Sequence, residues 1–235
     1  KDKVLITGQK GEYDREKKYA KFTESPKLVI KPELADSSLT VTAKKMEYYK
    51  DQELGIASDS VTIQKNRLEA KCAKATWFNR KDLIVLSGLP FARQENDEIS
   101  GDSMLLHLSG NRLEKIEVLG RAKATQRLYD SLTSRFNESF LTSQKVIFRL
   151  EQEKVNEVVA INQATSLYIP SFKDTLELTK NETSGDTIQI FIDSSQVKRV
   201  LVKGGAQGRY FFIPEERKND RVAVEDTVFY QAGSI

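Results

Sequence analysis

One histidine, His107, and one cysteine, Cys72, hold the chain's imidazole and thiol chemistry. A Cys–His nucleophilic pair would need the two side by side. Cys72 falls in a slot where small residues recur. His107 sits between Leu106 and Leu108, turned by strand alternation away from the apolar side. Both read as structural. Zinc requires three or four His, Cys or carboxylate ligands, which this pair cannot supply. Asp102 and Asp186 recur in Ser-Gly-Asp, and repeated acids suggest a glycosidase pair, whose carboxylates face each other at about 5–9.5 Å. A turn or bulge shared by equivalent positions of a repeat explains them more simply. The run Gly204-Gly205-Ala206-Gln207-Gly208 lies between strands, without the helix N-terminus that a phosphate-cradling loop uses. Arg121 to Arg127 spaces three cations between Ala, Thr and Gln, as a solvated strand face does, and the net charge is only +3. Neither points to nucleic acid. The chain is therefore expected to be no enzyme and to hold no metal or cofactor.

The elements that carry these residues repeat. Leu39-x-Val41-x-Ala43-x-x-Met46-x-Tyr48 matches Leu68-x-Ala70-x-Cys72-x-x-Ala75-x-Trp77 at an offset of 29. Val4-x-Ile6-x-Gly8-x-x-Gly11-x-Tyr13 precedes them, and Ile99-x-Gly101-x-Ser103-x-x-Leu106-x-Leu108 continues the series. Farther on, Ser100-Gly101-Asp102 matches Ser184-Gly185-Asp186 at an offset of 84, and half of that offset lands on Ser143-Gln144-Lys145. Period two places side chains on one face of a strand. The step of three in mid-unit is expected to be a β-bulge that loops one residue out and keeps the apolar set on that face.

Each unit has a second strand, readable at Ile56 to Ile63, Leu83 to Phe91, Ile116 to Ala124, Val158 to Ser166 and Val200 to Arg209. Gly55, Gly88, Gly120 and Gly204 are placed to mark bends. Short polar turns are expected at Asn79 to Asp82, Ser109 to Asn111 and Asp193 to Ser195. Longer polar links are expected at Gln94 to Glu98 and Thr179 to Glu182, and Gln126 to Glu138 is the weakest stretch. Apolar residues make up 39% of the 235, below the roughly 45–50% of globular domains. Their alternation nevertheless speaks for order, and for strands with one face in water. The opening on Lys1 without Met suggests a removed upstream segment. Val228-x-Tyr230-x-Ala232-x-x-Ile235 begins another copy, which suggests continuation past Ile235.

Leu39, Val41, Met46, Leu68, Ala75, Trp77, Met104, Leu106, Leu108, Phe148, Leu150, Ile190 and Ile192 align along one side of the stack. Lys45, Lys74, His107, Arg149 and Gln189 are expected to face elsewhere. The apolar side is either the core of two packed sheets or, with the sheets splayed, a trough for acyl chains.

The pattern apolar-x-small-x-x-apolar-x-aromatic, followed by a glycine-bearing strand, resembles the OstA/LptA-like family of lipopolysaccharide-transport proteins. Val41, Ala43, Met46 and Tyr48 carry the likeness, with Ala70, Cys72, Ala75 and Trp77, and Ser100-Gly101-Asp102 with Gly120. The resemblance implies an all-β fold, an elongated open β-jellyroll with a V-shaped cross-section, over residues 1–125 and continuing in repeats over 126–235. It implies a periplasmic place, associated with the outer membrane in some members. The apolar side, Tyr48 included, would then cradle the acyl chains of lipopolysaccharide or a related amphipathic lipid. Other jellyroll components, or further copies, would join through edge strands. The later units, from Leu141, lack the terminal aromatic. Two other readings stay open: a structural or adhesive β-stack with a closed interior, and a carbohydrate-processing β-solenoid with clustered acids on one face.

Overall fold

The structure, a computed structural model, describes residues 3–31, 38–109, 112–130, 135–169, 178–194, 196–212 and 226–231. The expected turn residues Gly110, Asn111 and Ser195, and the closing stretch 232–235, lie outside them. The chain forms two compact units, Lys1–Leu119 with Leu150–Lys154, and Gly120–Arg149 with Val155–Ile235. Among the described residues there is no α-helix; a single 3₁₀ turn spans Asn79–Lys81.

In the first unit the strands are β1 (Lys3–Thr7), β2 (Lys10–Asp14), β3 (Tyr19–Thr23), β4 (Lys27–Lys31), β5 (Leu39–Thr42) and β6 (Lys45–Tyr49). The long β7 (Leu54–Lys65) and β8 (Leu68–Phe78) follow, then β9 (Leu83–Ser87), β10 (Phe91–Gln94), β11 (Asp97–Ser100), β12 (Ser103–Ser109) and β13 (Arg112–Asp130). All the described pairings are antiparallel. One sheet runs β1–β4–β5, then the second half of β7, the first half of β8, β10 and β11. The other runs β2–β3–β6, then the first half of β7, the second half of β8, β9, β12 and the start of β13. Since β7 and β8 pass through both, hydrogen bonding is continuous round the corner between them.

The corner has a repeated chemistry. Between β7 and β8 the register jumps from Ser58↔Lys74 to Val61↔Cys72. Asp59 and Ser60 therefore oppose Ala73 alone, a bulge with two residues against one. Both have positive φ, 66° and 59°. Consecutive left-handed pairs recur at Glu24/Ser25, Gly88/Leu89, Gly120/Arg121, Asn162/Gln163 and Gly204/Gly205. At three of these corners the neighbouring strand donates a backbone N–H: Lys44 to the Asp59 carbonyl at 3.0 Å, Asp102 to Leu119 at 2.9 Å, Asp186 to Gly204 at 2.8 Å. The recurrence of Ser-Gly-Asp thus has a backbone cause.

Two expectations change here. The step of three is not a looped-out residue on its own strand; the extra residue sits on the neighbour, and the step is where the chain passes from one sheet into the other. Two inner faces that look at each other require inward side chains to change parity, and a step of three does that. Gly55 is no bend but a paired residue at the start of β7, opposite Trp77.

The second unit holds the rest of β13, then β14 (Arg135–Glu151), β15 (Lys154–Tyr168), β16 (Leu178–Asp193), β17 (Gln196–Lys203), β18 (Gln207–Phe212) and β19 (Asp226–Gln231). β16 pairs along its length with β15, its first part with β18 and its second part with β17, and β18 pairs with β19. Thr179 to Glu182, expected as a link, lies inside β16. Its charge belongs to an outward face, where Glu182 pairs with Lys180 and Arg209, each at 2.7 Å. Likewise in Gln94 to Glu98 only Glu95 and Asn96 form a hairpin turn, between β10 and β11, and the described parts of Gln126 to Glu138 are strand.

At Gly88, φ is +80° and an added Cβ would lie 2.4 Å from that of Ala73. Gly88→Ala is expected to lose about 2 kcal/mol or more in urea denaturation, whereas Gly55→Ala stays within about 0.5 kcal/mol. At Gly55 an added Cβ meets Trp77 only at 3.9 Å.

Candidate functional site

Strand register places the apolar side chains in rows parallel to the corner. In the first unit Phe22, Met46, Ala57, Ala75, Leu86, Met104 and Val118 oppose one another in turn, next to the corner. From Met46 onward this row is buried, down to Met104 at 0% exposure. One step outward lie Ala20, Tyr48, Gly55, Trp77, Ile84, Leu106 and Ile116. This row is half-buried, and Tyr48 is 40% exposed. Leu108 with Leu113 extends it toward the mouth, again half-buried. The facing sheet repeats the gradient: Val61 and Cys72 are buried at the corner, while Ile30, Leu39 and Leu68 are half-buried farther out.

The second unit behaves in the same way on one of its walls. Val146 and Ile188 are fully buried and Phe148 nearly so, whereas Ile190 and Ile192 are half-buried. Leu150, in the same alternation on β14 but in the end of that strand that belongs to the first unit, is half-buried too. A closed sandwich would bury the second row as completely as the first. The interior is instead an apolar trough, closed at the corner and open at the strand ends.

Of the thirteen aligned residues and Tyr48, Val41, Met46, Ala75, Met104 and Phe148 are buried, and the others are half-buried or, at Tyr48, exposed. Sequence reasoning read the returning strands but did not count their Ile84, Leu86, Ile116 and Val118 among the apolar side, nor Ile6, Leu28 and Ile30 of the first wall. Each shows the same period two, so the signal was present.

The other face is polar at its corner row, where Lys45, Ser58, Lys74, Ser87 and Ser103 oppose one another. His107 Nε2 lies 3.0 Å from Glu117 Oε1, which Lys115 Nζ also meets at 2.7 Å. Arg149 and Gln189 both meet Glu157. Burial pushes the Cys72 thiol up to about 11, away from the thiolate that a nucleophile needs. Among the described residues no three His, Cys, Asp or Glu side chains gather as metal ligands.

A surface depression of about 580 Å³ is lined by Glu12, Tyr13, Asp14, Lys17, Tyr19 and Tyr49. Its groups serve one another and their neighbours: Asp14 pairs with Lys17 at 3.3 Å, and the Tyr19 hydroxyl donates to Glu47 at 2.7 Å. Burial, and then Glu47, hold the Tyr19 phenol above its ordinary range. Burial opposes the charge of Glu47, but hydrogen bonds from Tyr19 and Lys45 outweigh it and hold the carboxyl below the ordinary range.

No protein-family model matches the chain, and no curated protein matches it. Among solved structures it is similar to the crystal structure of LptH, the LptA homologous periplasmic component of the lipopolysaccharide transport device from Pseudomonas aeruginosa. The identity is 16% and the TM-score 0.45, over 68% of this chain and 93% of that chain.

Two measurements check this geometry. Met104→Ala should lose about 2–5 kcal/mol of stability and Leu106→Ala clearly less, about 1 kcal/mol, because Leu106 is only half withdrawn from water; a closed interior predicts similar losses. Since Glu47 titrates lower in the folded state, its contribution is complete above the unfolded value of about 4.3 and vanishes as pH falls through the folded one. The thermal midpoint is expected to hold down to about pH 5.5 and to fall below about pH 4, less steeply in Glu47→Gln.

Proposed function

We propose that the chain carries the acyl chains of lipopolysaccharide, or of a related amphipathic lipid, in this trough as a periplasmic component of lipopolysaccharide transport. The observation that carries the reading is the half-exposed second row: Trp77, Ile84, Leu106 and Ile116 in the first unit, Ile190 in the second. Large apolar side chains left half in water in contiguous rows mark a surface that something apolar covers. A saturated chain laid along them would gain roughly 0.8 kcal/mol per methylene removed from water.

Edge strands support the partner side of the proposal. Among the described pairings β1 is matched only to β4, and β2 only to β3. Val4 and Leu5 on β1 are each 59% exposed. Such an edge accepts a strand from another jellyroll component or another copy, because its backbone groups are ready for pairing. A purely structural or adhesive stack with a filled interior fits the burial gradient poorly.

Photo-crosslinking groups at Leu106 and Phe148 are expected to capture lipopolysaccharide far more often than the same groups at Lys74 and Arg149. Leu106→Asp, which sets a charge among the acyl chains, is expected to abolish capture by a photo-crosslinking group at Trp77 in the same row, or lower it at least tenfold, while the chain stays folded. Equal capture from both sets, or none from either in folded protein, rules the carrier out.

A further inference from the structure

We infer that the second unit takes the oxygen-bearing part of its lipid, the ester and hydroxyl groups at the head of the acyl chains, and not hydrocarbon alone; this rests on the carrier reading above. The inference comes from the unlike walls of that unit. On one wall Val158, Ile190 and Val200 oppose one another, with Ala160, Ile188 and Val202 beside the corner, so it is apolar throughout. On the other wall Ser166 opposes Thr183, which opposes Gly208, and the next row outward is Tyr168, Asn181 and Tyr210. Thr183 is 5% exposed and Ala164, in the same alternation, 0%, so these rows face inward. The equivalent wall of the first unit presents Leu28, Val41, Ile63 and Ala70 in direct opposition.

A wall for bare hydrocarbon gains nothing from hydroxyls and amides, since each must be desolvated when the chain covers it. The Thr183 hydroxyl donates to Asn181 Oδ1 at 3.1 Å, and beside the outer row Ser139 Oγ accepts from the Ile169 N–H at 2.9 Å. Hydroxyls and amides both donate and accept, and together they make a surface that matches carbonyl and hydroxyl oxygens. Facing an apolar wall, they define a slot with one oily and one hydrogen-bonding side. A lipid segment fits it where alkyl chain and ester or hydroxyl groups lie side by side. The described wall carries no Lys or Arg on its inward rows, so the match is to neutral oxygens and not to phosphate.

The test uses the full chain and two photoactivatable probes of equal chain length, a diazirine alkane and a diazirine monoacylglycerol, with peptide mapping to locate the label. The expected result is labelling of the first unit by both probes. In the second unit the monoacylglycerol should be preferred by about tenfold, the yield of one or two hydrogen bonds. Thr183→Val with Asn181→Leu should bring that preference close to parity and leave first-unit labelling unchanged. Ser166→Ala, a milder change, should reduce it in part. Equal labelling of the second unit by both probes, or a preference that survives all three substitutions, overturns the inference while the carrier reading stands. Labelling of neither unit by either probe removes both.

Discussion

Two left-handed residues facing one on the adjacent strand are the constraint on which everything else rests. A pair such as Asp59 and Ser60 is held at positive φ at a strain of about 1–2 kcal/mol per residue. That strain turns the strand out of one sheet and into its partner. Without the turn the inward side chains of β7 and β8 would continue on a single flat face, half of them in water. With it, Val61 and Cys72 meet the row of Ala57 and Ala75 across a closed corner. The recurrence of the pairs at 24, 59, 88, 120, 162 and 204 follows the unequal spacing of the sequence repeat, longer in the second unit than in the first.

Much of this was legible from residue types. Alternation placed Met46, Trp77 and Leu106 on one side and Lys45, Lys74 and His107 on the other. The small residue Gly8 marked where a neighbouring backbone comes close, since an added Cβ would lie 3.4 Å from Pro26 Cα. What the residue pattern did not disclose was the corner. A step of three is the same string of letters whether a residue loops out or the chain changes sheets, and only the register of the neighbour distinguishes the two. The polar stretch at Thr179 to Glu182 misled for a related reason. A strand with one wet face and one hydroxyl-bearing face has the composition of a loop, and only its pairing with Lys180 opposite Phe211 and Glu182 opposite Arg209 reveals it.

Charge is placed with economy. Glu47, Glu117, Glu157 and Glu182 each stand on an outward face beside a cation on their own or the adjacent strand. Exposed pairs of this kind add little stability, at about 0–1 kcal/mol apiece. Their effect is on choice of register: a slip by one residue would carry these carboxylates onto the inward face and Met104 or Ile188 into water. The chain needs few apolar residues because each is counted twice, once in its row and once across the corner.

The rows also have a dynamic meaning. Within each unit adjacent strands lie about 4.8 Å apart, so a hydrocarbon tail lying across them meets a similar side-chain row again after that interval. Displacement by one strand replaces each contact with its like: Trp77 hands over to Ile84, then to Leu106 and Ile116. Such a surface is corrugated with shallow wells, not pitted with one deep one. It retains a tail against escape into water while resisting travel along its length only weakly. On the carrier reading proposed above, the ladder that holds the sheets together doubles as a track.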